Sequence, residues 1–381
     1  MNLPKGWKLL SFSEAFKDRT GGQQKIKKND YLASGNLPII DQGQEFVAGF
    51  TNNLNFQCNI ELPCILFGDH TKKFKFVEKP FALGADGVKV LETNKNIDTK
   101  FAFYYLKTLY LPDVGYSRHF RFLKRTVIPV PPIASQRRIA DILDKADEII
   151  RKRKEAIALT EQLQKSIFLD MFGDPVINPK GWEKVTLGNL LAEELQNGAY
   201  FEKNYYTNDL TGVEMIHMSD AFYGTVTRGN LKRVLVSDAE VKKYQLNSDD
   251  ILIARRSLNY EGAAKPCLIE DCCNPLIFES SLIRVRVKKN IINPIYLFSY
   301  MMQPRAREKY IYPYVTRSTI SGINQAGLKK ITIVVPPIAL QNRFKEICNQ
   351  IKKNSLKLEL HLQESENLFN SLLQKAFKGE L

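Results

Sequence analysis

Two four-residue strings, Pro4-Lys5-Gly6-Trp7 and Pro179-Lys180-Gly181-Trp182, stand 175 positions apart and carry the only tryptophans of the chain. A longer string, Val130-Pro131-Pro132-Ile133-Ala134-x-Gln136, returns as Val335-Pro336-Pro337-Ile338-Ala339-x-Gln341 at an offset of 205. That offset holds to the end, where Ser166 matches Ser371 and Phe172 matches Phe377. An internal repeat constrains architecture before any other feature. This one dictates a variable region followed by a tail of constant length, twice over, with the second variable region longer by 30 residues.

The 381 residues leave room for two cores. At 44% hydrophobic and 25% charged residues the chain has the balance of a folded globular protein. No run approaches the roughly 20 apolar residues of a bilayer span, and the start, MNLPKGWKLL, lacks signal-peptide segments, so a cytoplasmic protein is expected. Cys58, Cys64, Cys267, Cys272, Cys273 and Cys348 form no CxxC pair and no zinc-ligand spacing, and read as free thiols.

The tails read as helices. Ile139, Leu143, Ala146, Ile150, Ile157, Leu163, Ile167 and Met171 follow three-and-four spacing, as do Phe344, Cys348, Ile351, Leu358, Leu362, Leu368 and Leu372. Pro131 and Pro132 force an extended approach, and Ser135 is the expected N-cap. About 35 residues at 1.5 Å each give a rod of about 50 Å, whose apolar stripe must be covered. The expected cover is the other tail, in an antiparallel coiled coil with a variable region at either end.

The variable regions read as mixed, mostly β structure. Strands are expected at Cys64–Phe67, Gly87–Leu91, Asp250–Ala254, Ser281–Val287 and Ile331–Val335, with equivalent helices at Lys100–Tyr110 and Pro294–Met302. The fold class is therefore α+β, with two mixed, mostly β domains at 1–132 and 174–337 and two long helices at 133–173 and 338–381. Trp7 and Trp182 read as core anchors beside turns.

Net charge is +14, with a basic surplus of eight in residues 1–173 and six in the remainder. So even a division equips both halves for a polyanion, nucleic acid being the commonest.

A search for chemistry finds little. There is no [DN]PP[YF] adenine-methylation motif, no GxxxxGK[ST] phosphate loop, and no ExK or DxK after Pro112-Asp113 in the first half. Asp69-His70 could form an acid-base or metal pair, but the histidines, at 70, 119, 217 and 361, offer no second ligand at useful spacing. No catalytic, cofactor or metal residue is assigned to this chain.

On these residues the chain resembles the specificity subunits of type I restriction-modification systems. The resemblance covers essentially the whole chain through PKGW, VPPIAxQ and the junction Phe172-Gly173-Asp174-Pro175. In the first region, Phe67-Gly68-Asp69-His70-Thr71 and the run Pro80 to Val90, PFALGADGVKV, look like one recurrent recognition type. The second region carries Thr319-Ile320-Ser321-Gly322-Ile323-Asn324-Gln325 before its closing strand, whereas the first has Tyr116-Ser117-Arg118-His119-Phe120-Arg121-Phe122. The two heads should therefore read different sequences.

What the resemblance implies is a non-catalytic ruler on double-stranded DNA. Each head reads one half of a bipartite target and the helices set the unread spacer. Two methyltransferase subunits and motor-nuclease restriction subunits would be the partners, bringing S-adenosylmethionine, ATP and magnesium. Candidate DNA contacts are Lys72, Lys73, Arg118, His119 and Arg121 in the first head and Arg255, Arg256 and Arg317 in the second, followed by Gln42, Gln44 and Asn259. Arginine can pair two donors with guanine, and lysine neutralises phosphate. A DNA-bridging coiled-coil protein without a methyltransferase partner is the alternative, and a fused nuclease or methylase is disfavoured by the motif search.

Overall fold

The computed structural model describes residues 4–381 except 86, 113–114, 116, 222–223, 227 and 271–273, and not the side chain of residue 161. Asp86, Asp113, Tyr116, Cys272 and Cys273, singled out in the sequence, lie outside the described residues. The chain forms two compact units, Met1–Glu155 with Leu358–Leu381, and Ala156–Lys357. The long helices are Ile133–Phe172 and Ile338–Lys378, so each contributes residues to both units.

In the first unit, strand Lys8–Ser11 pairs antiparallel with Val127–Val130, from Lys8 opposite Val130 to Ser11 opposite Val127. The opening PKGW string and the closing Pro-Pro string are thereby brought together. Between them lies an antiparallel sheet in the order Phe16–Asp18, Val88–Thr93, Cys64–Gly68, Phe74–Val77. Its Cys64–Gly68 strand is buried throughout, which explains an apolar run without alternation. A smaller sheet orders Gly49–Thr51, Leu37–Ile40, Ala82–Leu83. Helix Thr99–Thr108 begins at Asp98, whose carboxylate accepts from the Phe101 amide, and lays Phe101, Tyr104 and Leu106 into a core shared with Leu143 and Phe369.

The second unit repeats the frame with Glu183–Thr186 antiparallel to Thr332–Val335. Its main sheet runs Gln196–Asn197, Leu282–Val285, Ile251–Ala254, Pro266–Leu268, and a second runs Tyr206–Thr207, Arg233–Val234, Val213–Ile216, Leu276–Phe278. Helix Pro294–Met302 starts at Asn293, capped through its own side chain, with proline at the first helical position where the missing N–H costs nothing.

The glutamine of each VPPIAxQ string is fully inside its unit. Gln136 Oε1 accepts from the Asp98 amide at 2.8 Å, and its Nε2 donates to Pro131 O at 2.8 Å and Asn96 O at 3.2 Å. Gln341 repeats this on the Asn293 amide (2.8 Å), Pro336 O (2.7 Å) and Ile291 O (3.1 Å). Each clamp locks the start of a long helix to the head helix beside it.

Within each unit the long helices run antiparallel. In the first, Arg153 donates to His361 O and Lys154 pairs with Glu366 at 2.8 Å. In the second, Phe168 packs on Phe344 with ring centroids 5.7 Å apart, one turn from a Gln164–Cys348 contact. The head helices join the same cores: Phe101 lies on Phe377, and Tyr296 on Phe172.

Three local expectations need correction. The first long helix starts at Ile133 rather than after Ser135, because Pro132 O already accepts from the Ser135 and Gln136 amides. The buried stripe shifts by one residue in three places: Phe168 and Phe172 are buried where Ile167 and Met171 only flank the core, and Phe369 replaces Leu368, which is 59% exposed. The aromatic rings offer more area, and a 3.6-residue turn drifts against a fixed heptad, so the ring positions win. Trp7 and Trp182 are half-buried flanks of their cores rather than centres. Trp182 also donates through Nε1 to Phe172 O at 3.2 Å, and Lys180 Nζ lies 2.9 Å from Met171 O. The PKGW string therefore caps the carbonyl end of the first long helix, where a positive charge is favoured.

Candidate nucleic-acid interface

In the first unit, strands Cys64–Gly68 and Phe74–Val77 are joined by a tight turn. Gly68 N donates to Lys73 O, Lys72 N donates to Gly68 O, and Lys72 takes a left-handed φ of 59°. A side chain at 68 would meet Thr71 Oγ1 at 2.2 Å, which is why the FGDHT string needs glycine there. Asp69 then docks the second candidate segment. Its backbone oxygen accepts from the His119 amide at 2.9 Å, and its carboxylate accepts from the Phe120 amide at 2.7 Å. The structure thus brings the Lys72-Lys73 turn and the Arg118-to-Arg121 segment together.

Around this junction Lys73, Arg118 and Arg121 are exposed and Lys72 is half-buried. Lys89 and Lys124 flank the Phe120 ring at 5.1 and 4.9 Å, two cations the sequence reading missed. The Gln42 loop faces the same turn, its Oε1 accepting from the His70 amide at 3.2 Å. Lys75 braces that loop through Asp41 O at 2.8 Å and through Glu45 O. Burial pushes the Lys75 ammonium below the ordinary lysine range, against the pull of Asp41 and Glu45.

His119 does not belong to the exposed set. It is 1% exposed, with Nδ1 3.0 Å from Asp69 O, so it fastens the two segments to each other and offers no edge to a groove. An alternation of basic and aromatic residues in Ser117–Phe122 could not reveal which members turn inward.

In the second unit, Arg256–Ser257 pairs with Ser321–Gly322, and Ile323 N donates to Arg255 O at 3.0 Å. This short ribbon joins the Arg255-to-Asn259 segment to the loop carrying Arg317. Arg256 and Arg317 are exposed, while Arg255 is half-buried with Nη1 3.4 Å from Ser280 O. Leu258 (81% exposed) and Ile320 (51%) stand out of the same loops. Beyond the exposed Thr319 and Ile320, the TISGINQ string proves to be scaffolding. Ser321 is buried, Asn324 caps helix Gln325–Lys329 by accepting from Gly327 N at 2.8 Å, and Gln325 Nε2 reaches Asn197 at 3.1 Å.

Beside this ribbon lies an open cleft of about 670 Å³, lined among others by Asn259, Tyr260, Lys265, Arg307, Tyr312 and Arg317. Two loop clusters that present cations, amides and isolated apolar side chains above buried frames suit groove reading. Among the described residues no group of three His, Cys, Asp or Glu is placed to hold a metal, and no helix is long and apolar enough to cross a membrane.

Residues 4–159 and 179–365 match the family described as the type I restriction modification DNA specificity domain. The chain belongs to this family. The matched segments each run from a PKGW string into a long helix, the unit of repetition seen in the sequence.

Among relatives in this family, the EcoKI specificity subunit of Escherichia coli K12 is 24% identical over 271 residues, covering 67% of this chain and 57% of that protein. The MjaVIII specificity subunit of Methanocaldococcus jannaschii is 23% identical over 326 residues, covering 78% and 75%. The alignments to the Escherichia coli K12 protein and to the StySPI specificity subunit of Salmonella potsdam thus span 57% of each of those relatives. The crystal structure of the type I restriction-modification S subunit from M. genitalium matches in fold, with a TM-score of 0.59 at 16% identity over 99% of this chain and 96% of that one.

Proposed function

We propose that the chain is the target-reading subunit of a type I restriction-modification complex and that each unit reads one half of a two-part DNA sequence. The observation that carries this reading is the contrast between frame and loops. The strand frame, the glutamine clamp and the antiparallel helix pair are equivalent in the two units, whereas the loops they hold share no sequence between FGDHT with SRHFRF and ARRSLNY with TRSTISG. Equivalent anchoring with unlike loops suits two readers of unlike half-targets. The paired long helices would set the unread spacer, since B-DNA repeats its face about every 34–36 Å.

In this reading the chain performs no chemistry. Two methyltransferase subunits would supply adenine methylation with S-adenosylmethionine, and restriction subunits would supply ATP- and magnesium-dependent translocation and cleavage. Lys72, Lys73, Arg118 and Arg121 would contact DNA from the first unit, and Arg255, Arg256 and Arg317 from the second. His119 leaves the set because its burial denies it a base edge or phosphate.

The test is to map methylated adenines genome-wide in cells with and without this chain. A single two-part motif with a fixed gap, lost on deletion, is the expected result. Unchanged methylation, together with failure of the chain to co-purify with a methyltransferase, would instead favour a DNA-bridging role.

A further inference from the structure

Two exposed arginines of the loop clusters lie over aromatic rings, Arg121 over its chain neighbour Phe122 at 4.7 Å and Arg317 over a ring that is itself held by a further set of contacts. The Arg317 guanidinium carbon lies 4.4 Å from the centroid of the Tyr260 ring. Tyr260 is itself fixed, with its ring 4.9 Å from that of Tyr312 and its hydroxyl donating to Tyr312 O at 3.2 Å. The loop that carries Tyr260 is held from behind by Arg307, 7% exposed, which donates to the carbonyls of Glu261 (3.0 Å), Ala263 (2.8 Å) and Ala264 (3.2 Å). Ala264 takes a left-handed φ of 56°, a strained conformation for a residue with a Cβ, and two of the Arg307 bonds flank it.

The support leaves the working edge of Arg317 open: among the described residues it makes no hydrogen bond or ion pair. Stacking on an aromatic face orients a guanidinium and lowers the entropy lost when its two-donor edge finds a partner. Glu261 and Glu308 line the same cleft. Lys265 and Arg307 line it too, so its charge does not select against a phosphate, and it is the fixed plane of the stacked Arg317 fork that suits a base edge.

We propose that Arg317 is a specificity-determining residue that reads a guanine in the half-target of the second unit, with Tyr260 and Arg307 as its positioning residues. A guanidinium fork matches guanine O6 and N7 together, a pairing that discriminates against other bases by about tenfold or more. The assignment rests on the function proposed above and adds the base and the reader.

The experiment maps methylated motifs made by the intact complex carrying R317A, R317K, Y260A or Y260F. R317A is expected to relax one guanine position by about tenfold or more, with the other half-target and the gap unchanged. R317K should stay relaxed, because an ammonium lacks the fork. Y260A should relax the same position, and Y260F, which keeps the ring face, should retain the guanine. An unchanged motif in R317A, or methylation weakened equally at all sites, overturns the assignment. If R317A abolishes methylation, R317K decides: a full motif overturns the assignment and a relaxed guanine supports it. A wild-type complex with no two-part motif would instead remove the underlying function, and shows before any substitution is made.

Discussion

Gln136 accepts the amide hydrogen of Asp98 at 2.8 Å, joining the first turn of a long helix to the start of the head helix that packs on it. The second unit makes the same bond between Gln341 and Asn293. A buried amide that satisfies three backbone groups sets the angle between head and helix more firmly than apolar contact, because a shift of either element leaves a donor or acceptor dry. A ruler requires that kind of joint.

Gln136→Ala should therefore destabilise the first unit by about 3 kcal/mol, since each buried group left unpaired costs roughly 1–3 kcal/mol. Gln136→Leu, which fills the space without bonding, should lose as much. Chemical denaturation read by hydrogen exchange in residues 1–155 measures both, and a leucine variant as stable as the parent would contradict the clamp.

The aromatic cluster of the second unit makes a contrasting pair. Phe168 is 1% exposed between Phe172, Tyr296 and Phe344, so Phe168→Ala should cost about 3–5 kcal/mol. Leu163, on the expected stripe but 49% exposed, should cost under about 0.5 kcal/mol when changed to alanine. Equilibrium unfolding of the two variants measures that contrast, and equal losses would contradict the observed burial of the two positions.

The shift of the buried stripe shows where sequence reading stops. The repeat made the two-unit plan legible, and the runs at 64–67, 250–254 and 331–335 announced the strands Cys64–Gly68, Ile251–Ala254 and Thr332–Val335, because a buried strand needs an apolar run and little else. Helix Pro294–Met302 was legible with its bounds as the equivalent of the helix expected at Lys100–Tyr110, which forms at Thr99–Thr108. The register of the long helices was not, since spacing alone cannot weigh a phenylalanine against an adjacent isoleucine. In the candidate interface the sequence offered the cations but not their roles. His119 and Arg118 are neighbours with the same credentials, and only the Asp69 turn determines which faces inward. The Tyr260–Arg317 stack joins residues 57 positions apart and has no local signal.

Lys73 and His119 should separate by measurement as they do in structure. Lys73→Ala should lower the slope of log binding constant against log salt by about 0.9, the effect of neutralising one phosphate fewer. His119→Ala should leave the slope unchanged and reduce thermal stability. DNA binding by the complex at several salt concentrations, with thermal unfolding beside it, checks both; a reversed pattern would return His119 to the DNA surface.

The buried thiols should be inert. Burial raises Cys58 to about 11 and Cys64, Cys267 and Cys348 to about 12, so little reactive thiolate exists at pH 8. Native labelling with a thiol reagent at pH 8, read by mass spectrometry, should spare these four until denaturant is added.

Asp174, after the first long helix, gives a pH signature. Burial works to raise its pKa, but the Ile177 and Val176 amides and the Arg305 guanidinium outweigh it and hold the carboxyl below its ordinary value. A depressed folded-state value means stability that is present above the unfolded pKa, about 3.9, and lost as pH falls through the folded one. The gap in stability between parent and Asp174→Asn should be constant above about pH 5 and shrink below about pH 4. A gap independent of pH down to acid unfolding would remove this role.

The independence of the two readers is tested most directly by exchanging residues 179–335 for those of another family member and mapping the methylated motif of the hybrid complex. The account predicts a new sequence in one half-target, with the other half and the gap retained. A change in both halves would contradict it.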